Sequence, residues 1–282
     1  MREITAETIK SFNDYLINEE KVSATDNKYL HDVGEFKLWL GEKELNKVAV
    51  LAYKSYLCER YAPASVNAAL SSLNSFFNFM EWYDLRVKNL KIQKQIFAST
   101  VKELTKAEYN RLLQAAKQKK NERLYLLMQT ICSTGIRVSE VRYITVEAVL
   151  RGIAEINCKG KCRQVFLPKQ LCQILKQYIK VQKIKNGAVF VTKNGNPLDR
   201  SNIWSDMKKL CKAANVSEQK VFPHNLRHLL ARTYYSLQKD IVRLADILGH
   251  SNANTTRIYT LETGEIHRNW GFYGVNHIIL IM

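Results

Sequence analysis

Six side chains between residues 137 and 259 are of the types that could attack a phosphodiester without a metal ion. They are Arg137, Lys159, His224, Arg227, His250 and Tyr259. Guanidinium groups bind two phosphate oxygens at once and stay charged at any relevant pH, so they could stabilise the charge of the transition state. A lysine or histidine could transfer protons, and a phenol could form a covalent phosphotyrosine that conserves the bond energy. The set indicates this chemistry far more strongly than any one member does.

The spacing around the two arginines predicts that helices position them. His224 and Arg227 are three residues apart in a predicted helix that begins after Pro223, so they share one face. His224 could remove the proton from a tyrosine hydroxyl, because histidine has a pKa near neutrality. Arg137 follows a glycine that is predicted to end a helix over 122–134.

His250 and Tyr259 lie in a segment predicted to be a helix end, a turn and a further helix. Gly249 is predicted to end the first helix, just before His250, which could then donate a hydrogen bond to a phosphate oxygen. Thr255 and Thr256 are predicted to cap the second helix ahead of Tyr259. We therefore expect Tyr259 to be surrounded by polar residues, unlike the tyrosines of a core.

The lysine could come from either end of the KGK turn in a predicted hairpin. Lys159 or Lys161 could protonate a leaving oxygen there, and the residue types alone do not separate them. Alternatively, both lysines and Arg163 form an exposed basic turn. His228, one helical turn beyond His224, is interpreted as a core histidine or as a residue that supports the site.

A zinc site is the competing interpretation of this region. Cys158 and Cys162, with His224 and His228, could supply four ligands. However, a turn rich in lysine would place positive charge beside the cation. The sequence also contains no glycine-rich phosphate loop and no cluster of carboxylates for Mg²⁺. We therefore expect no metal and no other cofactor.

The composition indicates a polyanionic partner. The 282 residues include 43 Lys and Arg against 26 Asp and Glu, which gives a formal net charge of +17. Neutralising phosphates releases counterions, so nucleic acid is favoured over an anionic membrane surface, for which no basic amphipathic helix is evident. The C-terminal apolar run, IILIM, is too short to span a membrane. We expect a cytoplasmic protein with reduced cysteines.

The apolar periodicity predicts a mainly α fold with a small β-sheet, divided into two domains. Residues 1–90 read as a helical domain that binds DNA, 91–101 as a basic linker, and 102–282 as a catalytic domain with a C-terminal tail. Two strands are predicted around 153–158 and 163–167, and AVFVT could form a third. Basic side chains of the linker region and the hairpin are the predicted DNA contacts outside the catalytic set. They are Arg86, Lys88, Lys91, Lys94, Lys161 and Arg163.

The chain resembles the tyrosine recombinase (phage integrase) family over nearly its whole length. The resemblance lies in the segments TGIRVSE, CKGKCR, HNLRH and LGHSNANTTRIYT, and in SVNAALSSLNSFFNFM, which is similar to a helix of the family's N-terminal domain. It implies an N-terminal helical core-binding (SAM-like) domain plus an α+β tyrosine-recombinase catalytic domain. It also implies that the six residues named first are catalytic, with Lys159 as the catalytic lysine and Glu140 as the acidic companion of Arg137.

The resemblance implies a mechanism and partners as well. Tyr259 would attack the scissile phosphate to give a 3′-phosphotyrosyl link and a free 5′-hydroxyl. The two arginines and His250 would stabilise the phosphorane, His224 would act as base, and Lys159 would protonate the departing oxygen. Four protomers would exchange strands between two duplexes with paired core sites, aided in some systems by accessory integration or excision factors.

Several roles within and beyond this family stay open at the level of sequence. The chain has the length of short two-domain members, so it could be the integrase of a mobile element or a Xer-like resolvase of chromosome or plasmid dimers. A type IB topoisomerase and a catalytically silent DNA-binding regulator are further alternatives. The apolar tail after Tyr259 could dock on a neighbouring protomer, or could weaken assembly.

Overall fold

The computed structural model describes residues 2–19, 23–92, 102–158, 161–250 and 252–259. The chain divides into two compact units, Met1–Lys94 and Gln95–Met282. This division falls in the segment predicted as a linker, most of which lies outside the described residues. The domain limits 1–90, 91–101 and 102–282 therefore stay predictions.

The first unit is a small helical bundle. Its helices are α1 (Ala6–Asn18), α2 (Ser23–Leu40), α3 (Lys47–Arg60) and α4 (Pro63–Phe79), followed by a 3-10 helix, Tyr83–Leu85. The apolar stripe predicted over 65–80 is the buried face of α4, and Pro63 begins that helix, as its fixed φ favours. Phe12, Phe76 and Phe77 are fully buried in the bundle core. Edge-to-face packing of Phe12 on Phe76, with ring centroids 5.2 Å apart, joins α1 to α4.

The chain after α4 is held by asparagine side chains that bond its backbone. Asn74 exchanges hydrogen bonds with the backbone of Val87, and Asn67 does the same with Leu90. Val87 is buried, so its neighbours Arg86 and Lys88 lie on the exposed side of this extended segment.

The second unit is also mainly helical. Its first half contains α5 (Lys106–Gln118), α6 (Glu122–Thr134), a 3-10 helix (Val138–Tyr143), α7 (Val146–Arg151), β1 (Ile153–Cys158), β2 (Lys161–Phe166) and α8 (Lys169–Val181). Its second half contains α9 (Arg200–Lys208), α10 (Cys211–Ala214), a 3-10 helix (Glu218–Lys220), α11 (Pro223–Gln238), α12 (Ile241–Leu248) and a 3-10 helix (Ala253–Tyr259). The predicted fold class, mainly α with a small sheet, is confirmed.

Local signals fix several helix ends in this unit. Thr105 and Glu108 form the predicted capping box of α5, each side chain bonding the other's backbone N–H. Gly135 ends α6 and Gly249 ends α12, each with a positive φ that favours glycine.

The sheet consists of two antiparallel strands among the described residues. Ile153 pairs with Phe166 at one end, and Cys158 pairs with Lys161 at the other. The third strand predicted for AVFVT is wrong, because this segment makes only isolated bridges, from Ala188 to Thr145 and from Val191 to Pro197. Its apolar residues are buried by packing into the unit's core, which an apolar run alone does not distinguish from pairing in a sheet.

Within the part of the chain that the structure describes, no helix is long and apolar enough to cross a membrane.

Candidate active site

Arg137 is positioned by the end of α6 and by a buried carboxylate. It follows Gly135, whose positive φ of 65° reverses the chain at the end of the helix. Its Nη1 donates to Oε1 of Glu140 at 2.9 Å, and its Nη2 donates to the carbonyl oxygen of Gly249 at 2.9 Å. The side chain remains 40% exposed. Arg137 therefore combines a fixed position with access to solvent, as a group that binds a phosphate requires.

Glu140 is ionised although it is buried. Burial raises the pKa of its carboxyl, but hydrogen bonds from Arg163 and from Arg137 lower it more, so the pKa lies below its usual value. The backbone N–H of Arg137 also donates to Glu140, at 3.0 Å. The carboxylate is thus the common anchor of two guanidinium groups.

Arg227 is held by carbonyl groups instead of a carboxylate. It lies in α11, is only 2% exposed, and donates from Nη1 to the carbonyl oxygen of Gly135. Its Nη2 donates to the carbonyl oxygen of Leu248 at 2.6 Å and lies 3.0 Å from Nε2 of His250. Burial lowers the pKa of Arg227 to about 10, with the charge of Arg137 adding to the effect. The guanidinium therefore stays charged at neutral pH.

His250 follows the glycine that ends α12, as predicted, and the contacts of its ring assign its tautomer. Arg227 has only donors, so Nε2 of His250 must accept. Nδ1 then carries the proton and donates to Oγ1 of the buried Thr256 at 2.8 Å. Burial, together with the charges of Arg227 and Arg137, lowers the pKa of His250 to about 4. His250 is consequently a neutral imidazole at neutral pH.

The segment before Tyr259 differs from the predicted one. Thr255 and Thr256 do not cap a helix that begins after them, because both lie inside the 3-10 helix Ala253–Tyr259. Thr256 uses its hydroxyl for His250 instead. A threonine six residues after a histidine gives no signal in the sequence, so this partner of His250 was missed.

Tyr259 is buried, so the prediction of polar surroundings is wrong. It is 6% exposed and packs in a small cluster with Ala231, Leu244 and Leu248. Burial raises the pKa of its phenol, while the charge of Arg227 and a hydrogen bond with it act in the opposite direction. Tyr259 therefore packs against apolar side chains and is also close enough to Arg227 for the charge of the guanidinium to act on its phenol.

Two histidines connect α11 to Tyr259. The rings of His224 and His228 are 4.3 Å apart, and the ring of His228 meets that of Tyr259 edge to face at 5.0 Å. His224 is exposed, yet partial desolvation and the charges of Arg227 and Arg137 lower its pKa. Burial lowers the pKa of His228 to about 4, and its Nε2 has no hydrogen-bond partner among the described residues. His228 therefore lies between the rings of His224 and Tyr259.

The hairpin turn with Lys159 lies outside the described residues, and so does the side chain of Lys161. Arg163, in β2, is directed inward and not into an exposed basic turn. Its Nη2 donates to Glu140 at 2.6 Å, and its Nη1 donates to the carbonyl oxygen of Ile247 at 3.3 Å. The structure thus places Arg163 with the residues around Arg137.

The zinc interpretation finds no support in the register of the sheet. Cys158 pairs with Lys161 and Cys162 pairs with Asn157, so the two cysteines occupy positions on opposite faces of the hairpin. Across the described residues, no group of three or more potential ligand side chains is placed to hold a metal ion.

Three of the four basic residues predicted to contact DNA from the first unit are described. Arg86, Lys88 and Lys91 are all exposed, and Lys94 lies outside the described residues. Lys47 and Lys54 of α3 bond the carbonyl oxygens of Arg86 and Lys88 respectively. The first unit therefore presents a basic segment fixed to its surface.

Five of the six predicted catalytic residues are brought together in the second unit. Arg137 and Arg227 both hold carbonyl groups at the end of α12, Arg227 contacts His250, and His228 links His224 to Tyr259. Guanidinium groups, imidazoles and a phenol are the types of group that can bind a phosphodiester and attack it. The two guanidinium groups can supply charge stabilisation.

Comparison with known proteins assigns both units to known families. The model described as "Phage integrase family" matches residues 102–265, and "Phage integrase, N-terminal SAM-like domain" matches residues 9–83. The tyrosine recombinase XerA of Thermococcus kodakarensis is 31% identical over 268 residues, which are 92% of this chain and 92% of that protein.

Solved structures are similar over most of the chain. A crystal structure of XerA recombinase shares 25% identity with a TM-score of 0.51, covering 96% of this chain and 99% of that one. A lambda integrase tetramer bound to a Holliday junction shares 17% identity with a TM-score of 0.70, covering 90% of this chain and 78% of that one. At this identity the second likeness concerns the fold alone.

Proposed function

The chain belongs to the phage integrase family, and from this premise we propose that it cuts and rejoins DNA at specific sites through a 3′-phosphotyrosyl intermediate on Tyr259. The observation that carries the proposal is the contact between Arg227 and His250. Arg137 bonds the carbonyl oxygen of Gly249, the residue before His250, and the charge of Arg227 acts on the phenol of Tyr259. These groups supply the positive charge, the proton-transfer groups and the nucleophile in one place.

In the proposed cleavage step, the phenolic oxygen of Tyr259 forms a bond to phosphorus while the bond from phosphorus to the 5′-oxygen breaks. His224 accepts the phenolic proton, and Lys159 gives a proton to the 5′-oxygen. Arg137, Arg227 and His250 stabilise the charge on the non-bridging oxygens. Reversing these steps with a different 5′-hydroxyl rejoins the strands, so neither a metal ion nor ATP enters the balance.

DNA must change the contacts that Arg227 and Tyr259 make in this structure. Both side chains are almost fully buried. A phosphate would replace carbonyl groups as a partner of Arg227. This exchange is favourable because a phosphate carries a full negative charge and a carbonyl group does not. Tyr259 would leave its apolar cluster in the same step, so binding of the scissile phosphate and exposure of the nucleophile would be coupled.

The finer role that we propose is integration or excision of a mobile element in the cytoplasm. Four protomers would act on two duplexes with paired core sites, with accessory factors setting the direction. The net charge of +17 supports extensive contact with DNA. A Xer-type resolvase of DNA dimers is the second candidate, because the likeness to a XerA covers 92% of both chains.

A nicked suicide duplex tests the cleavage step. Its core site is obtained by selecting bound duplexes from a random pool, and the nick releases a short product so that the covalent link accumulates. We expect an adduct that survives denaturation in the wild type and is lost in Tyr259→Phe. Tyr235→Phe is the matched control, because Tyr235 packs against the same apolar cluster. An adduct in Tyr259→Phe would contradict the nucleophile assignment, and binding without an adduct in the wild type would favour a silent regulator.

A plasmid assay separates the two roles. Resolution of a plasmid with two identical core sites supports the Xer-type role, whereas recombination restricted to two non-identical sites supports the integrase role.

A further inference from the structure

A buried ion cluster joins Arg137 to the hairpin. The two oxygens of Glu140 are shared between Arg137, at 2.9 Å, and Arg163, at 2.6 Å. The side chains of Glu140 and Arg163 are 6% and 17% exposed. The nearby surface pair of Arg151 and Glu155, by contrast, is 57% and 60% exposed. Glu140 and Arg163 are therefore better shielded from water and salt than the surface pair, so their charges act more strongly on each other.

Arg163 is also attached to the end of α12. It donates to the carbonyl oxygen of Ile247, and its side chain lies against Gly249. A Cβ atom placed on Gly249 would be 2.6 Å from Cδ of Arg163. Arg163 therefore spans from β2 to the turn that carries His250.

The charge balance of this cluster affects Arg137. One carboxylate with one guanidinium is a neutral pair, and a free carboxylate binds both arms of an arginine fork. Arg163 donates to Oε2 of Glu140. Arg137 therefore donates to Glu140 from Nη1 only, at Oε1, and its Nη2 donates to the carbonyl oxygen of Gly249. The cluster with both arginines carries a net positive charge, and its half-exposed member is Arg137.

We propose that Arg163 is a positioning residue for strand cleavage. It holds Glu140 and the end of α12 so that Arg137 keeps its place and its charge for the scissile phosphate, and it does not contact DNA itself. This inference rests on the proposed cleavage function.

The test compares binding with cleavage at saturating protein. We expect Arg163→Gln to slow adduct formation on the nicked duplex roughly 10-fold, less than the loss of a direct phosphate contact, which is about 100-fold or more. The Kd for the duplex and its salt dependence should stay unchanged. Adding Glu140→Gln to Arg163→Gln should restore part of the rate, because the amide oxygen of the glutamine can still accept from Arg137 but no longer neutralises its charge. A purely structural role would not give this recovery.

The controls use the exposed pair and a conservative variant. Arg151→Gln, alone and combined with Glu155→Gln, should change neither the rate nor the Kd. Arg163→Lys keeps the positive charge but lacks the planar guanidinium group. It should therefore form the adduct at a rate between those of the wild type and Arg163→Gln, with an unchanged Kd. It provides the same comparison if Arg163→Gln does not fold, as judged by thermal unfolding.

Three results would overturn the proposal. The first is a weaker Kd with a smaller salt dependence and a normal rate at saturation, since that result would make Arg163 a DNA contact. The second is an equal loss of rate in the single and double variants. The third is a normal rate and a normal Kd in Arg163→Gln. Failure of the proposed function looks different, because the wild type itself would then form no adduct.

Discussion

The two arginines of the candidate site are held in opposite ways. On the Arg137 side, defined by Arg137, Glu140 and Arg163, a buried carboxylate holds the guanidinium. On the Arg227 side, defined by Arg227, His250 and Tyr259, neutral carbonyl oxygens and an imidazole hold it. Carbonyl groups fix a guanidinium without cancelling its charge, whereas a carboxylate cancels it. Under the proposal that Arg163 is a positioning residue, this difference is the reason that a second arginine matters on the Arg137 side.

The comparison predicts the largest effect for loss of Arg227. Arg227→Met leaves the carbonyl oxygens of Gly135 and Leu248 buried without a partner, at a cost of about 1–3 kcal/mol each in the free energy of unfolding. Arg137→Met should cost only about 1–2 kcal/mol, because Glu140 keeps Arg163 and the site of Arg137 is half open to water.

Under the proposed mechanism both variants lose about 10²–10³-fold in the rate of adduct formation. Denaturant unfolding measures the difference in stability, and the suicide duplex measures the common loss of cleavage. If the two variants lose equal stability, the carbonyl contacts of Arg227 do not stabilise the fold more than the contacts of Arg137 do. If only one of them loses cleavage, the two arginines do not act on the same phosphate.

A second, smaller effect tests the close approach of the Arg137 side to the end of α12. Gly249 and Gly152 both end helices with a positive φ, of 61° and 78°. An added Cβ would meet Arg163 at Gly249, but nothing within 4 Å at Gly152. Gly152→Ala should therefore cost about 1 kcal/mol of stability from backbone strain alone. Gly249→Ala should cost roughly 1–3 kcal/mol more, because overpacking displaces Arg163, and it should also slow cleavage. Equal unfolding free energies in the two variants would show that the Arg163 side chain moves away from the added Cβ without a loss of stability.

Much of the fold was predictable because its signals are local. The helix predicted over 122–134 is α6, the KGK hairpin is a two-stranded sheet, and Gly249 ends a helix before His250. Membership of the tyrosine recombinase (phage integrase) family and the enzyme type are also confirmed, through the family models and the relatives. The catalytic roles of individual residues stay predictions.

The parts that sequence reasoning missed depend on partners distant in the chain. The basic sequence neighbours of Arg163 predict a DNA contact or, alternatively, an exposed basic turn, but its partner in the structure is Glu140, which lies 23 residues earlier. The carbonyl oxygen that accepts from Arg227 belongs to Gly135, which lies 92 residues away. A backbone acceptor has no sequence signature. The burial of Tyr259 likewise depends on α11 and α12 packing together, which its polar sequence neighbours do not indicate.

The last expected effect appears only in acid and concerns the pH dependence of stability on the Arg227 side. Folding lowers the pKa of both His228 and His250 from 6.5 to about 4, mainly through burial and also through neighbouring positive charge. The unfolded chain therefore binds these protons first, as the pH falls below about 6.5. The stability associated with the two neutral rings is complete above that pH and is lost progressively down to about pH 4. His250→Gln and His228→Gln should each flatten the fall in unfolding free energy between pH 6.5 and 4, as measured by denaturant unfolding in a series of buffers. If both variants keep the wild-type slope, the two rings are not neutralised by folding, and His250 cannot be the acceptor for Arg227 that distinguishes this side of the site.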